Sequence, residues 1–427
     1  MTVHSSCLQA LILLIALAIT SGALAQEMPS RLTLDEALRL AIDRNPKLAA
    51  ARNEIQAFEG DKITSNKRPN PAVSLVMENF PIRTHPGPFF STQDLTSRVD
   101  YEIERGGRRQ LRTAAAGQAL EAQKLAYQNQ LRLIRLEVER AFYQAILAKS
   151  DLDASQRILD QAERMISLNR VRLQQGDISV LDMNRIEVEK QIFQDDVFQA
   201  DLALRNAKSS FLALLNAPDL SQEVAMDGAL AINAQNPEPG LPPQASLHEL
   251  IPIAMKQRPD LAARMQEIKR ADTEALLQRA IRAPNVTVGG GYKRSGPDNS
   301  FVLGVTIPLP IFNRSEGEII RADAEKMRAL NLAAAARKDI QLDVQQASNA
   351  VEINRQRVDY LRTHQLKRAE EVSKAALESF NLGESTLIDY LDAQRTFRDA
   401  LRTFNQALFD ERISLYELSS SLALGVQ

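Results

Sequence analysis

The stretch "FVLGVTIPLPIFNRSEGEIIRADAEK", Phe301 to Lys326, changes period halfway along. Phe301, Leu303, Val305, Ile307 and Leu309 alternate with Val302, Gly304, Thr306, Pro308 and Pro310, the two-residue rhythm of a strand. Past Asn313 the spacing becomes helical and stays so for about sixty residues. Pro308 and Pro310 fix backbone angles and remove N–H donors, which ends a ladder, and Asn313 to Glu318 turn the chain and cap the helix. "DLTSRVDYEIERGGRRQLRTAAA", Asp94 to Ala116, makes the same change, with Gly106 and Gly107 at the corner and Arg108 opening the helix.

The similarity extends outward from these two junctions. "RNPKLAAARNEI" (Arg44 to Ile55) returns as "RPDLAARMQEI" (Arg258 to Ile268), and "QQGDISVLDMNRIE" (Gln174 to Glu187) as "NLGESTLIDYLDAQ" (Asn381 to Gln394). Pro46 and Pro259 are 213 residues apart, and Gly176 and Gly383 are 207 apart. The chain therefore divides into two copies of one plan. Residues 26–215 hold a helix from Thr33 to Asn66, strands 72–80 and 93–104, and long helices 108–174 and 179–214. Residues 246–427 hold helix 246–282, strands 286–294 and 300–309, and helices 315–381 and 385–423. Residues 216–245, rich in Pro and Gly, are an irregular connector. Thr33 and Glu36 form a capping box.

Leu131, Ile134, Val138, Ala141, Ala145, Ala148, Leu152, Ser155, Leu159, Ala162 and Ile166 keep a seven-residue repeat. The helix expected over 108–174 that carries this repeat is roughly 100 Å long, more than an ordinary globular domain accommodates. Leu8 to Thr20 followed by an A-x-A site at Ala23 to Ala25 is expected to be a signal peptide, 1–25, that takes the only cysteine, Cys7, with it. Charge is near balance, 52 Lys and Arg against 54 Asp and Glu, which gives no reason to expect nucleic acid. No stretch after residue 26 is apolar for eighteen residues, so a membrane role would fall to the strands.

Alternation alone also suits a soluble sheet lying on a core. Three features favour lipid: charge on the polar faces, helices too long to form a covering layer, and export. Four strands cannot close, and open edges are not tolerated in lipid, so identical chains must join in a ring. Two copies would give eight strands and three would give twelve.

No enzyme is expected and no cofactor. His4, His85, His248 and His364 are scattered without metal-ligand spacing, and "VGGGY" at 288–292 lacks the residues of a phosphate loop. Tight turns at Gly176-Asp177 and Gly383-Glu384 lie at the helix ends remote from the strands. Asp389 and Asp392, three apart on one helical face, are candidates for a carboxylate ring that favours cations, although a solvated helix face would look the same.

With "IERGGRRQLR" (Ile103 to Arg112), "PLPIFNRSEGEI" (Pro308 to Ile319) and the duplicated glycine tips, the chain resembles the TolC family of outer-membrane efflux channels, most nearly its heavy-metal, CzcC-type branch. The resemblance implies a mostly α fold with membrane β: a homotrimer whose four strands per protomer complete a 12-stranded barrel in outer-membrane lipid, continuous with a 12-helix periplasmic tunnel. It also implies a periplasmic adaptor and a proton-driven inner-membrane RND pump as partners, in a Gram-negative bacterium, with divalent heavy-metal cations as cargo. Export of organic drugs or solvents is the alternative, and a structural coiled-coil envelope protein a more distant one. "LIDYLDA" puts Asp389 and Asp392 at the family's periplasmic gate, with Ser385 where some members carry a gate-closing arginine. The adaptor-docking tips would be Gly176, Asp177 and Leu181 with Gly383, Glu384 and Leu387. The strand-to-helix junctions would be Gly106, Gly107 and Arg108 with Pro308, Pro310, Asn313 and Arg314.

Overall fold

The computed structural model describes residues 29–80, 93–232, 240 and 246–425. The expected leader 1–25, most of the loop joining the first two strands, and part of the connector lie outside the described residues. In chain order the elements are β1 (Arg31–Leu32), α1 (Leu34–Arg44), α2 (Pro46–Ser65), β2 (Ala72–Glu78), β3 (Asp94–Ile103), α3 (Arg108–Gln175), α4 (Val180–Leu214) and β4 (Ala225–Met226). There follow α5 (Leu247–Gln257), α6 (Pro259–Ala280), β5 (Val286–Ser295), β6 (Asp298–Thr306), α7 (Glu316–Tyr360), a π-helical turn (Leu361–Leu366), α8 (Lys367–Leu382) and α9 (Leu387–Ser421).

Three of these differ from the sequence expectation for a physical reason. The first helix is two, because Pro46 has no N–H to continue α1 and biases Asn45 to extended backbone, φ −66° and ψ 122°. Pro259 divides α5 from α6 in the same way at Arg258, φ −66° and ψ 120°. The helix expected over 315–381 loosens at Leu361–Leu366, where the Thr363 hydroxyl donates to the Asp359 carbonyl at 2.7 Å and competes with the helical ladder. The Thr33 and Glu36 capping box is present, Glu36 N–H to Thr33 Oγ1 at 3.3 Å and Thr33 N–H to Glu36 Oε2 at 2.9 Å.

The chain packs as two compact units. One contains the strands β2, β3, β5 and β6 with α2, α5, α6 and the adjoining parts of α3 and α7. Its sheet has the order β2-β3-β5-β6, antiparallel throughout, so β2 and β6 are edges that run in opposite directions. Register puts Val73, Leu75, Met77, Val99, Val288, Tyr292, Phe301, Leu303 and Val305 on one face. That face is uncovered: Phe301 is 91% and Leu303 87% exposed. On the opposite face Thr96, Arg98, Asp100, Gly289, Gly291, Lys293 and Gly304 are half-buried, while Glu78, Glu102 and Asp298 towards its ends are exposed. The sheet is inside-out by the standard of a soluble protein, which shelters apolar rather than polar residues.

The other unit holds α1, most of α3, α4, the connector, α8 and α9. Its centre is an aromatic cluster in which Phe142 meets Tyr143 edge-on at 5.4 Å and Phe211 at 5.8 Å, while the Tyr143 and Tyr416 hydroxyls are 3.2 Å apart. The connector is tied in by β4, which pairs in parallel with β1, and by Arg412, fully buried, which donates to the carbonyls of Leu230 at 3.3 Å and Ala231 at 2.9 Å.

Candidate functional site

Both glycine turns fall in the second of these units, and the structure brings them together. Gly176 and Gly383 have φ of +83° and +77°, the left-handed region where a Cβ is strained, and each closes its helix with the same pair of bonds. Asp177 N–H donates to the Arg172 carbonyl at 2.9 Å and Gly176 N–H to the Leu173 carbonyl at 3.1 Å. Glu384 N–H donates to the Ser379 carbonyl at 2.9 Å and Gly383 N–H to the Phe380 carbonyl at 3.2 Å. Arg172 joins the two tips, donating to the Asn381 carbonyl at 3.1 Å with its guanidinium 5.6 Å from the Phe380 ring centre. Beneath the turns Met165, Ile166, Met183, Ile186, Phe380, Leu387 and Tyr390 form a buried cluster.

The residues expected at this end separate into three kinds. Leu181 is exposed, as are Val180, Leu382 and Ile388. Leu387 is 6% exposed and belongs to the cluster beneath, so it holds the tip together and offers no surface. Ser385 is half-buried, and its hydroxyl has no hydrogen-bond partner among the described residues. Asp389 is exposed but engaged: its carboxylate accepts from the Thr386 N–H at 3.0 Å and hydroxyl at 2.6 Å, while Asp389 N–H donates to Thr386 Oγ1 at 3.3 Å. This capping box starts α9 and holds the Asp389 carboxyl below the usual carboxylate range. Ser179 and Asp182 start α4 similarly. Asp392, also exposed, adds its negative charge beside the Arg395 guanidinium.

Arginine pairing along α9 was not anticipated. Arg395 donates twice to Glu189 of α4, once at 2.8 Å. Arg398 and Arg402 share Asp196 at 2.9 and 3.1 Å, and Arg398 lies 5.9 Å from the Phe193 ring centre. The signal was present in the spacing. Arg395 and Arg402 are seven apart, as are Glu189 and Asp196, which puts each set on one face of its helix.

In the sheet-bearing unit, the strand-to-helix junctions are held by arginine. At the first, Gly106 and Gly107 take φ of +70° and +67°, and Arg108 donates to the carbonyls of Ile281, at 2.8 Å, and Ala283. Arg112, quoted above within a motif but given no role, bonds Glu104 at 2.7 Å and the Ser65 and Lys67 carbonyls at 3.0 and 3.1 Å. At the second, β6 ends at Thr306, ahead of Pro308 and Pro310. Asn313 Oδ1 accepts from Ser315 N–H at 2.8 Å, and the Arg314 carbonyl accepts from Arg282 at 3.2 Å. Among the described residues, no three or more His, Cys, Asp or Glu side chains are grouped so as to hold a metal ion.

Comparison with known proteins gives a consistent result. The family model described as "Outer membrane efflux protein" matches residues 37–217 and 250–424. The cobalt-zinc-cadmium resistance protein CzcC of Cupriavidus metallidurans is 28% identical over 377 residues, 88% of this chain and 86% of its own length. The outer membrane protein TolC of Vibrio cholerae is 22% identical over 306 residues, 67% of each chain. In fold, the Campylobacter jejuni CmeC outer membrane channel superposes with a TM-score of 0.78 at 16% identity, covering 94% of this chain and 90% of that one.

Proposed function

This chain belongs to the outer membrane efflux protein family, and from that premise we propose that three copies close into a duct that carries divalent heavy-metal cations outward. The protein is an outer-membrane efflux channel and not an enzyme. The observation that carries the closed-ring reading is the bare apolar face of the sheet, with its polar face turned to the sheltered side. Lipid is the solvent that tolerates that arrangement, and it tolerates no open edge. Because β2 and β6 run in opposite directions, β6 of one copy beside β2 of the next continues the antiparallel alternation. Three copies of four strands give twelve, joined through the arginine-tied junctions to the long helices.

In this reading Asp389 and Asp392 of three chains put six carboxylates about one axis at the periplasmic entrance. Cations are concentrated there and anions retarded. The exposed apolar residues Val180, Leu181, Leu382 and Ile388, around Gly176, Asp177, Gly383 and Glu384, support the tips as the seat of a periplasmic adaptor, with a proton-driven inner-membrane pump beyond it. The similarity to a cobalt-zinc-cadmium resistance protein supports metal cargo.

The test is growth of a channel-deletion strain, with and without this chain, on divalent metals and on hydrophobic drugs. Restored tolerance to one or more metals is expected, and it should weaken when Asp389 and Asp392 are both replaced by alanine. Rescue confined to drugs would contradict the metal assignment.

A further inference from the structure

The polar face of the sheet carries one arginine laid flat across its neighbours. Register sets Arg98 of β3 opposite Gly291 of β5, Asp100 opposite Gly289, and Gly289 opposite Gly304 of β6. The Arg98 side chain crosses all of β5. A Cβ at Gly289 would lie 1.8 Å from Asp100 Oδ1, 2.6 Å from Arg98 Nε and 2.7 Å from Nη2, and a Cβ at Gly304 would lie 2.8 Å from Nη2 and 3.1 Å from Cζ. Asp100 pairs with the guanidinium, Nε to Oδ1 at 2.6 Å, and both side chains are three-quarters shielded. Gly291 differs in kind. A Cβ there would collide with the Ser97 carbonyl and Arg98 Cα, so it permits close approach of backbone rather than of a side chain.

Glycine weakens a strand, and pinning an arginine costs it rotamer freedom that a water-facing wall would leave intact. The charge on that wall explains the arrangement. Among the described residues the polar face holds Glu78, Asp94, Asp100, Glu102 and Asp298 against two cations, Arg98 and Lys293. Lys293 is tied down as well, 3.4 Å from Asp94. Both cations are neutralised close to the sheet, and acidic charge is in excess.

We propose that Arg98 and the glycine lane at Gly289 and Gly304 set the charge and clearance of the pore wall for a passing cation. The lane lets the guanidinium lie against the sheet, where Asp100 cancels it. This rests on the polar face being the lumen. A methyl group in the lane would lift the arginine away from Asp100 and into the path, whereas removal of Arg98 would leave Asp100 uncompensated.

Planar-bilayer recordings test this, with wild type, Gly304→Ala, Arg98→Ala and the double variant. The readout is block of potassium current by hexaamminecobalt(III) added on the side of the β5–β6 turn. Gly304→Ala should weaken block several-fold, Arg98→Ala should strengthen it, and the double variant should behave as Arg98→Ala because no arginine remains to be lifted. Gly289→Ala, whose methyl meets Asp100 Oδ1 as well as the guanidinium, should part the same pair and weaken block, and replaces Gly304→Ala if that variant does not assemble. Wild-type block in the lane variant, or an equal loss in the lane and double variants, would overturn the proposal while leaving the lumen reading intact. No change of block or conductance in any variant, Arg98→Ala included, would instead remove the polar face from the ion path.

Discussion

Glu139 is a carboxylate that the fold deprives of water, at 4% exposure beside the aromatic cluster. Burial pushes its carboxyl up to about 7, against the lowering effect of Arg135, which donates to it at 3.1 Å. Tyr416, itself shifted up by burial, faces the same charge from α9. The sign follows from proton binding. Between the unfolded value near 4.5 and the folded value near 7 the native state holds the proton and the unfolded chain does not. Stability from this group is therefore full below the unfolded value and is lost as pH rises through about 7, a change on the order of 3 kcal/mol. Asp151, also raised by burial, acts with the same sign. Asp389, held low by Thr386, loses its contribution only in more acidic solution. The melting midpoint of the protein in detergent should fall as pH rises from about 4.5 to 7 and level off above that, with much of that slope absent in Glu139→Gln. An unchanged slope in the variant would place the proton elsewhere.

At the scale of elements, α4 and α9 are joined by unlike charges in a repeating pattern. Asp196 is a shielded rung, with Arg398 only 17% exposed, whereas Arg205 and Asp201 pair within α4 in open solvent. A double-mutant cycle on Arg398 and Asp196 should give a coupling of about 1 kcal/mol, and one on Arg205 and Asp201 a smaller coupling that falls further with salt. Equal couplings would show that shielding between the helices contributes nothing.

These rungs also mark where sequence reading runs out. The alternation of Phe301 to Val305 and the change of period after Asn313 were legible because strand and helix rhythms are local. The break before Pro46 was less so, since a helical rhythm passes through it unaltered. Val180 and Leu387 follow their tips at matching positions, yet Val180 is exposed and Leu387 buried. The difference lies in packing partners such as Met165 and Phe380 on other helices, which no local window contains. "VGGGY" was legible as a strand without a phosphate loop. What Gly289 makes room for, the side chains of Arg98 and Asp100, lies about 190 residues earlier in the chain. Asp389 carries two meanings at once, a candidate gate charge and a helix cap, and spacing alone does not separate them.

For the whole molecule, the decisive property is that one chain leaves its sheet unfinished. Phe301, Leu303 and Val305 of β6 and Val73 and Leu75 of β2 stand exposed on one face, and both edge strands end in open ladders. A soluble protein would cover such a surface or aggregate through it. In the duct proposed above, lipid covers the face and a second and third copy close the edges. The mass of the detergent-solubilised protein, corrected for bound detergent, tests this most directly. Three chains per particle, with aggregation once detergent is withdrawn, is the result expected here. A monodisperse single chain in plain buffer would contradict it.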